Sequence, residues 1–391
     1  MRALRDVHSF QIAKTIIILY VSCSILLSFS ILARFLFAVD IALKVFNIIM
    51  YCSLFFLIPI SALIWLLYET WQRKMQSWFF FMSLIFLYVF FWWFAVLEPF
   101  VPEYLFLWFP LPLMALLYLK WKDVAKGFLK RKSVIFLVLV LIVAVLPNVA
   151  AYVSIHNLLN QAVSTTDEWQ KASYISKRVI ETTAFGWPPR AGTDYWKFVL
   201  SGAGMCKEMA ITGTDLILAA GLDARRVVLP GEDHAFIEVK IDGTWLVADP
   251  GYYGGELINR TERATRRIQD VGSISYVIAC IGDSFVELTQ QYVSTDTIVI
   301  RVTRYGEPLA AGEVLLKHRF GNHITQLPCE DRTFHTDVNG TVTLHLGKPY
   351  YINEFKGSEE YYWIYVNGQN TGYNVTSTGT GQIRSVEIDL E

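Results

Sequence analysis

Gly204-Met205-Cys206-Lys207-Glu208-Met209-Ala210-Ile211-Thr212 is the stretch on which the reading of this chain turns. A turn of small residues, Ser201-Gly202-Ala203-Gly204, delivers a cysteine to the start of a helix, and Gly221 is placed to end that helix. His234, in Asp233-His234-Ala235-Phe236, follows Cys206 by 28 residues, and Asp249-Pro250 begins 15 residues after His234. A Cys, a His and an Asp in that order are the parts of a thiol nucleophile with an oriented base. A thiol is a poor nucleophile until it ionises, and the unpaired N–H groups of a first helical turn favour the thiolate. The Cys206 backbone N–H is a candidate for one oxyanion donor. Taken singly, each residue has a plainer reading: a structural cysteine, a satisfied histidine, an aspartate closing a strand. It is their order and register that point to chemistry.

The register can be worked out from the turn. Asp242-Gly243 is a strong signal for a two-residue hairpin loop, which makes Ala235–Ile241 and Thr244–Ala248 its strands. Ile241 then faces Thr244, so Asp249 falls opposite Phe236 and becomes the diagonal same-face neighbour of His234. Diagonal neighbours lie roughly 7–8 Å apart, within reach of longer side chains. Asp249 is therefore expected to accept a bond from one ring nitrogen of His234, leaving the other for Cys206.

Several parts together resemble the transglutaminase-like superfamily. They are the Gly-x-Cys helix start, the Ala219-Ala220-Gly221-Leu222-Asp223-Ala224-Arg225 turn, the His234 strand, and Gly243-x-Trp245 leading to Asp249-Pro250. The resemblance covers about residues 165–255. It implies an α+β, circularly permuted papain-like core with Cys206 as nucleophile, His234 as general base and acid, and Asp249 as the orienting group. Where many relatives carry an aromatic pair after the histidine, this chain has Ala235-Phe236.

Around this core, Thr165–Thr183 reads as an amphipathic helix through Trp169, Ala172, Ile175, Val179 and Ile180. Asp194–Leu200 reads as a short helix, with a Gly/Pro loop at Gly186-Trp187-Pro188-Pro189 before it. Met209, Gly213, Leu216 and Ala220 line one face of the Cys206 helix, and Arg225–Leu229 reads as a strand. Arg260, Arg263, Arg266 and Arg267 are expected to form a solvated helix face, the sharper alternative being a site for an acidic partner or lipid head group. From Thr295 onward the periodicity is two, with strands at Thr297–Val302, Gly312–Leu316, Thr341–Leu346, Tyr361–Val366 and Ser385–Leu390. Short turn intervals between them point to a β-sandwich, loosely resembling the immunoglobulin-like modules of surface proteins.

The first 155 residues are a different material. They hold 13 Lys+Arg and 6 Asp+Glu (net +7), leaving 21 and 29 (net −8) for residues 156–391. The whole-chain charge of −1 and mean hydropathy of +0.36 average these two halves. Five apolar stretches, at about 11–33, 45–68, 77–97, 104–120 and 133–154, are each near the length that crosses a bilayer. No small-residue cleavage site follows the first. Eleven Lys and Arg lie on one side of such a bundle, including Arg2, Arg73 and Lys126; the opposite loops hold only Arg34 and Lys44. The expectation is a multi-pass cell-membrane protein with a cytoplasmic N-terminus and extracytoplasmic C-terminal domains. Sequons at Asn259, Asn339 and Asn374 all fall in the outer part.

The domain plan is thus 1–155 as an α-helical transmembrane bundle of about five spans, 156–290 as a transglutaminase-like catalytic domain, and 291–391 as a β-sandwich. The expected partners are the lipid bilayer and a peptide or protein substrate at the outer face, with no nucleic acid. No cofactor is called for. His318, His323, Cys329 and His335 cluster in sequence but are expected to be surface residues rather than metal ligands. Cys280 and Cys329 are compatible with one disulfide that leaves Cys206 as a thiol. Carboxylates are missing from the span interiors, which disfavours a proton-coupled transporter. The reading is a membrane-anchored thiol enzyme acting on amide bonds through an acyl-enzyme, by hydrolysis rather than crosslinking. The alternative is a catalytically inactive transglutaminase-like surface binding or scaffold protein.

Overall fold

The computed structural model describes residues 15, 18–19, 22–34, 41–53, 131–185, 195–232, 234–250, 254–281, 284–320, 323–329, 332–349 and 360–391. The chain divides into two compact units, one of residues 1–164 with 178–212, the other of residues 165–177 with 213–391.

In the first unit the described helices are α1 (residues 22–34), α2 (Ile41–Cys52), α3 (Arg131–Val163) and α5 (Tyr195–Ser201). Helix α3 runs through Pro147, and large apolar side chains on these helices, among them Ile25, Phe29, Ile49 and Tyr152, are exposed. Among the described residues no helix is long and apolar enough to cross a membrane. The stretches expected at 77–97 and 104–120, and most of that at 45–68, lie outside the described residues. Two short strands, β1 (Ala184–Phe185) and β2 (Ala203–Gly204), pair in parallel just before Cys206.

Helix α4 (Glu168–Glu181) forms as its apolar spacing requires: Ala172, Ile175 and Val179 are buried, whereas Trp169 is exposed. Helix α6 (Cys206–Ala219) buries Met209, Gly213 and Leu216 of the expected stripe, Ala220 just past its end is buried as well, and Gly221 follows at φ +84°. Only glycine takes that left-handed conformation without steric cost.

The second unit is built on a six-stranded antiparallel sheet of order β6-β5-β4-β3-β7-β8. Its strands are β3 (Ala224–Leu229), β4 (His234–Ile241), β5 (Thr244–Ala248), β6 (Leu257–Ile258), β7 (Ile278–Ile281) and β8 (Ser284–Glu287). The β4–β5 hairpin has the expected register, with Ile241 opposite Thr244 and Ile237 opposite Ala248. Asp242 at φ +48° and Gly243 at φ +78° make the turn, the positive pair that matches strand twist. Helix α7 (Arg260–Val271) starts at Asn259, whose side chain accepts the Glu262 N–H, and stops at Gly272. Strands β7 and β8 add to the far edge of the sheet; no strong alternation announced them.

The remaining strands are β9 (Asp296–Arg304), β10 (Glu307–Pro308), β11 (Glu313–Phe320), β12 (His323–Leu327), β13 (Phe334–His335), β14 (Thr341–Leu346), β15 (Tyr362–Val366), β16 (Gln369–Val375) and β17 (Ile383–Leu390). They form two sheets, one centred on β9 between β14 and a parallel β17, the other running β12-β11-β15-β16. Inward residues of both, including Ile298, Ile300, Val314, Leu316, Leu344 and Ile364, share one core. Ile278 of β7 and Tyr276, two residues before it, also enter that core. His318 is fully buried, its ring 5.2 Å from that of Tyr362, which corrects its reading as a surface histidine. Cys280 and Cys329 are not disulfide-bonded.

Candidate active site

In the first unit, Cys206 opens α6 with a partly exposed thiol that is not in a disulfide. Glu208 reaches back so that its Oε2 accepts the Met205 backbone N–H at 3.0 Å, which pins the turn immediately before the cysteine. Gly204 admits no side chain, since a Cβ there would lie 2.5 Å from the Phe198 ring and 3.0 Å from Glu208 Cβ. The local sequence thus dictates a glycine, a stiff turn and a helix start for the nucleophile candidate.

In the second unit, His234 begins β4 and Asp249 follows the end of β5. His234 Nε2 lies 2.9 Å from Asp249 Oδ2, with both side chains buried. The hairpin arithmetic thus brings these two together. With Nε2 committed to the carboxylate, Nδ1 is the ring nitrogen on the other side of the imidazole. Phe236, two residues along the same face, packs its ring centroid 6.2 Å from that of His234.

The sequence reading missed what stands behind Asp249. Arg263 donates from Nε to Asp249 Oδ2 at 2.9 Å, with its Nη2 equally close to the same oxygen. Arg267 donates from Nε to Glu232 Oε2 at 2.8 Å, two residues before His234. Arg260 and Arg225 both pair with Glu238 in the middle of β4, and Tyr292 donates its hydroxyl to that carboxylate at 2.6 Å. Arg225 also lies over the Trp245 ring at 4.1 Å. The arginine cluster is therefore not a solvated face: Arg263 and Arg267 are 1 % and 2 % exposed. Three buried carboxylates, Glu232, Glu238 and Asp249, draw the guanidinium groups in, because an unpaired charge in that interior is costly. Arg266 is the member that stays near the surface, paired with Glu256 and Glu262. The signal that could have found this is Glu238, a carboxylate set between Ile237 and Val239 in a strand that buries nearly every residue.

The electrostatics follow. Burial pushes the Asp249 carboxyl up, but His234, Arg263 and Arg267 outweigh it and hold the group below the usual carboxylate range. Glu232 goes the other way: burial raises it, and Arg267 offsets that only in part. Asp249 is consequently an ionised acceptor at neutral pH. Such a group fixes the tautomer and orientation of a histidine and stabilises its protonated form. Among the described residues no group of three or more His, Cys, Asp or Glu is placed to hold a metal ion.

The family model described as Transglutaminase-like superfamily matches residues 157–250, the segment that carries Cys206, His234 and Asp249. That segment is a transglutaminase-like domain. A solved structure described as the crystal structure of a TGase aligns at 19 % identity over 35 % of this chain, with a TM-score of 0.23. The aligned part spans 38 % of that chain's length. No curated protein matches.

Proposed function

We propose that this chain is a membrane-anchored thiol enzyme that cleaves amide bonds of peptides or proteins at the outer membrane face. The observation that carries the reading is the buried His234–Asp249 pair at 2.9 Å, backed by Arg263. In the proposed reaction His234 takes the Cys206 proton, and the thiolate adds to the amide carbonyl. The C–N bond breaks as the imidazolium gives its proton to the leaving amine, and a thioester remains. Water, deprotonated by His234, adds to the thioester; the acid departs and the thiolate returns. Hydrolysis is preferred over transfer to a second amine because water is the acceptor always at hand.

The membrane placement rests on the apolar first 155 residues, the charge bias of their short loops, and the exposed apolar faces of the helices there. The three sequon asparagines are exposed, as an outer location requires of a modified site. Alkaline extraction of membranes and labelling of single-cysteine variants from either side test the placement.

The test of the chemistry is the pH dependence of iodoacetamide alkylation at Cys206, read by peptide mass in the full chain. A half-point well below the ~8.5 of an ordinary thiol, lost in His234→Ala, supports the enzyme. An ordinary titration in both sinks it and favours a transglutaminase-like binding module.

A further inference from the structure

Two helices end next to the turn that leads to Cys206, and both ends are met by side chains from far earlier in the chain. The last carbonyls of a helix have no partner within it and carry the negative end of its dipole. At the end of α4, Thr182 O accepts from Arg34 Nη1 at 2.6 Å, and Lys44 Nζ donates to Ile180 O at 3.0 Å and Thr183 O at 2.8 Å. At the end of α5, Val199 O accepts from Arg34 Nη2 at 2.5 Å, and Asn47 Nδ2 reaches Leu200 O at 3.2 Å and Ser201 O at 2.8 Å. One guanidinium thus ties two helix ends together. Arg34 is 1 % exposed and Asn47 is fully buried.

The clamp closes against the backbone of the turn itself. Gly202 sits at φ +71°, and a Cβ there would lie 2.5 Å from Arg34 Nη1 and 2.7 Å from Asn47 Nδ2. Gly202 O in turn accepts the Ala184 N–H at 2.9 Å, and β1–β2 pairing carries the order through Gly204. From there Glu208 holds Met205, and Cys206 is next. Little slack separates the clamp from the thiol.

We propose that Arg34 and Asn47 are positioning residues that hold the Ser201–Met205 turn and so set where Cys206 sits. The proposal rests on the thiol-enzyme reading above. Residues 22–34 and 41–52 then belong to the support of the Cys206 turn, and residues 156–391 alone lack them. A lysine or glutamine at position 34 cannot bridge both helix ends with the same planar fork.

The experiment is Cys206 alkylation against pH in the full chain, in detergent micelles, for Arg34→Gln, Arg34→Lys, Asn47→Ser and the parent. Circular dichroism and the thermal melt report folding. In folded Arg34→Gln and Asn47→Ser the alkylation rate at pH 7 is expected to fall several-fold, with the midpoint of the pH profile moved upward, because less thiolate is then present at that pH. Arg34→Lys, which keeps the charge, is expected to recover part of it. A structural role alone would lower the melt and leave the pH profile of the folded protein unmoved; that result overturns the proposal. Should Arg34→Gln fail to fold, Asn47→Ser decides, because it leaves both Arg34 bonds in place. His234→Ala separates the two ideas. If it changes the Cys206 profile and the clamp variants do not, only the clamp fails. If it does not, the thiol-enzyme reading fails as well.

Discussion

Replacing Arg263 by methionine keeps much of its bulk and removes one of the charges on Asp249. The carboxylate is fully buried and accepts from Arg263 and His234 on the same oxygen. Breaking a buried ion pair by deleting one partner costs about 3–5 kcal/mol, because the remaining charge is left without compensation. Since His234 and Arg267 still act on Asp249, the low end, about 3 kcal/mol, is expected at pH 7. For a folding unit of this size that is a fall of roughly 6–12 °C in the melting temperature. The pH dependence carries the sharper content. In the parent the Asp249 pKa is depressed, so its stabilisation is present above the unfolded-state value near ~3.9 and is lost as pH falls through the lower folded value. In Arg263→Met burial is offset less, so the carboxyl lies higher than in the parent and takes up a proton earlier as the pH drops, which relieves the penalty. The difference between parent and variant is therefore largest near neutrality and shrinks toward pH 5. Melts of the full chain from pH 5 to 8 measure it, with Asp249→Asn and the double variant completing a thermodynamic cycle. A loss below 2 °C at pH 7, or one of equal size at every pH, would refute the account of Arg263 as the charge behind the His234–Asp249 pair.

Other outcomes follow from single contacts. Cys206→Ala is expected to abolish any amidase or transferase activity while circular dichroism stays that of the parent; retained activity removes the nucleophile from the mechanism. Asp296 is buried at the start of β9. Burial raises its carboxyl, but bonds from Thr378, Thr380 and Gln382 outweigh this and hold it far below its ordinary value. Asp296→Asn should therefore lower the melt at pH 7 and differ less from the parent below pH 3. Gly340 has φ +70°, and a Cβ there would lie 2.3 Å from Val302 O, so Gly340→Ala should cost more than the ~1 kcal/mol of a glycine turn position alone. Gly243→Ala, which meets nothing within 4 Å, is the strain-only control. Equal losses at the two sites would show that the close approach at Gly340 is easily relieved.

What the sequence alone determined about this protein is the part governed by short-range rules. Asp242-Gly243 specifies a turn, the turn specifies a register, and the register places Asp249 beside His234. The Gly204-x-Cys206 spacing likewise sets a helix start, and alternation set the main sandwich strands. Tertiary structure alone decided the rest, because the partners are distant and their composition misleads. Four arginines in eight residues read as a wet surface until Glu232, Glu238 and Asp249 are seen opposite them. A buried guanidinium is tolerated only where carboxylates wait for it, and beyond Glu238 between Ile237 and Val239 no local pattern hints at that. The contacts from Arg34 and Asn47 span roughly 150 positions, as the 148-residue separation between Arg34 and Thr182 illustrates. Helix ends advertise unpaired carbonyls in any sequence, but which distant side chain answers them is settled only when the chain has folded.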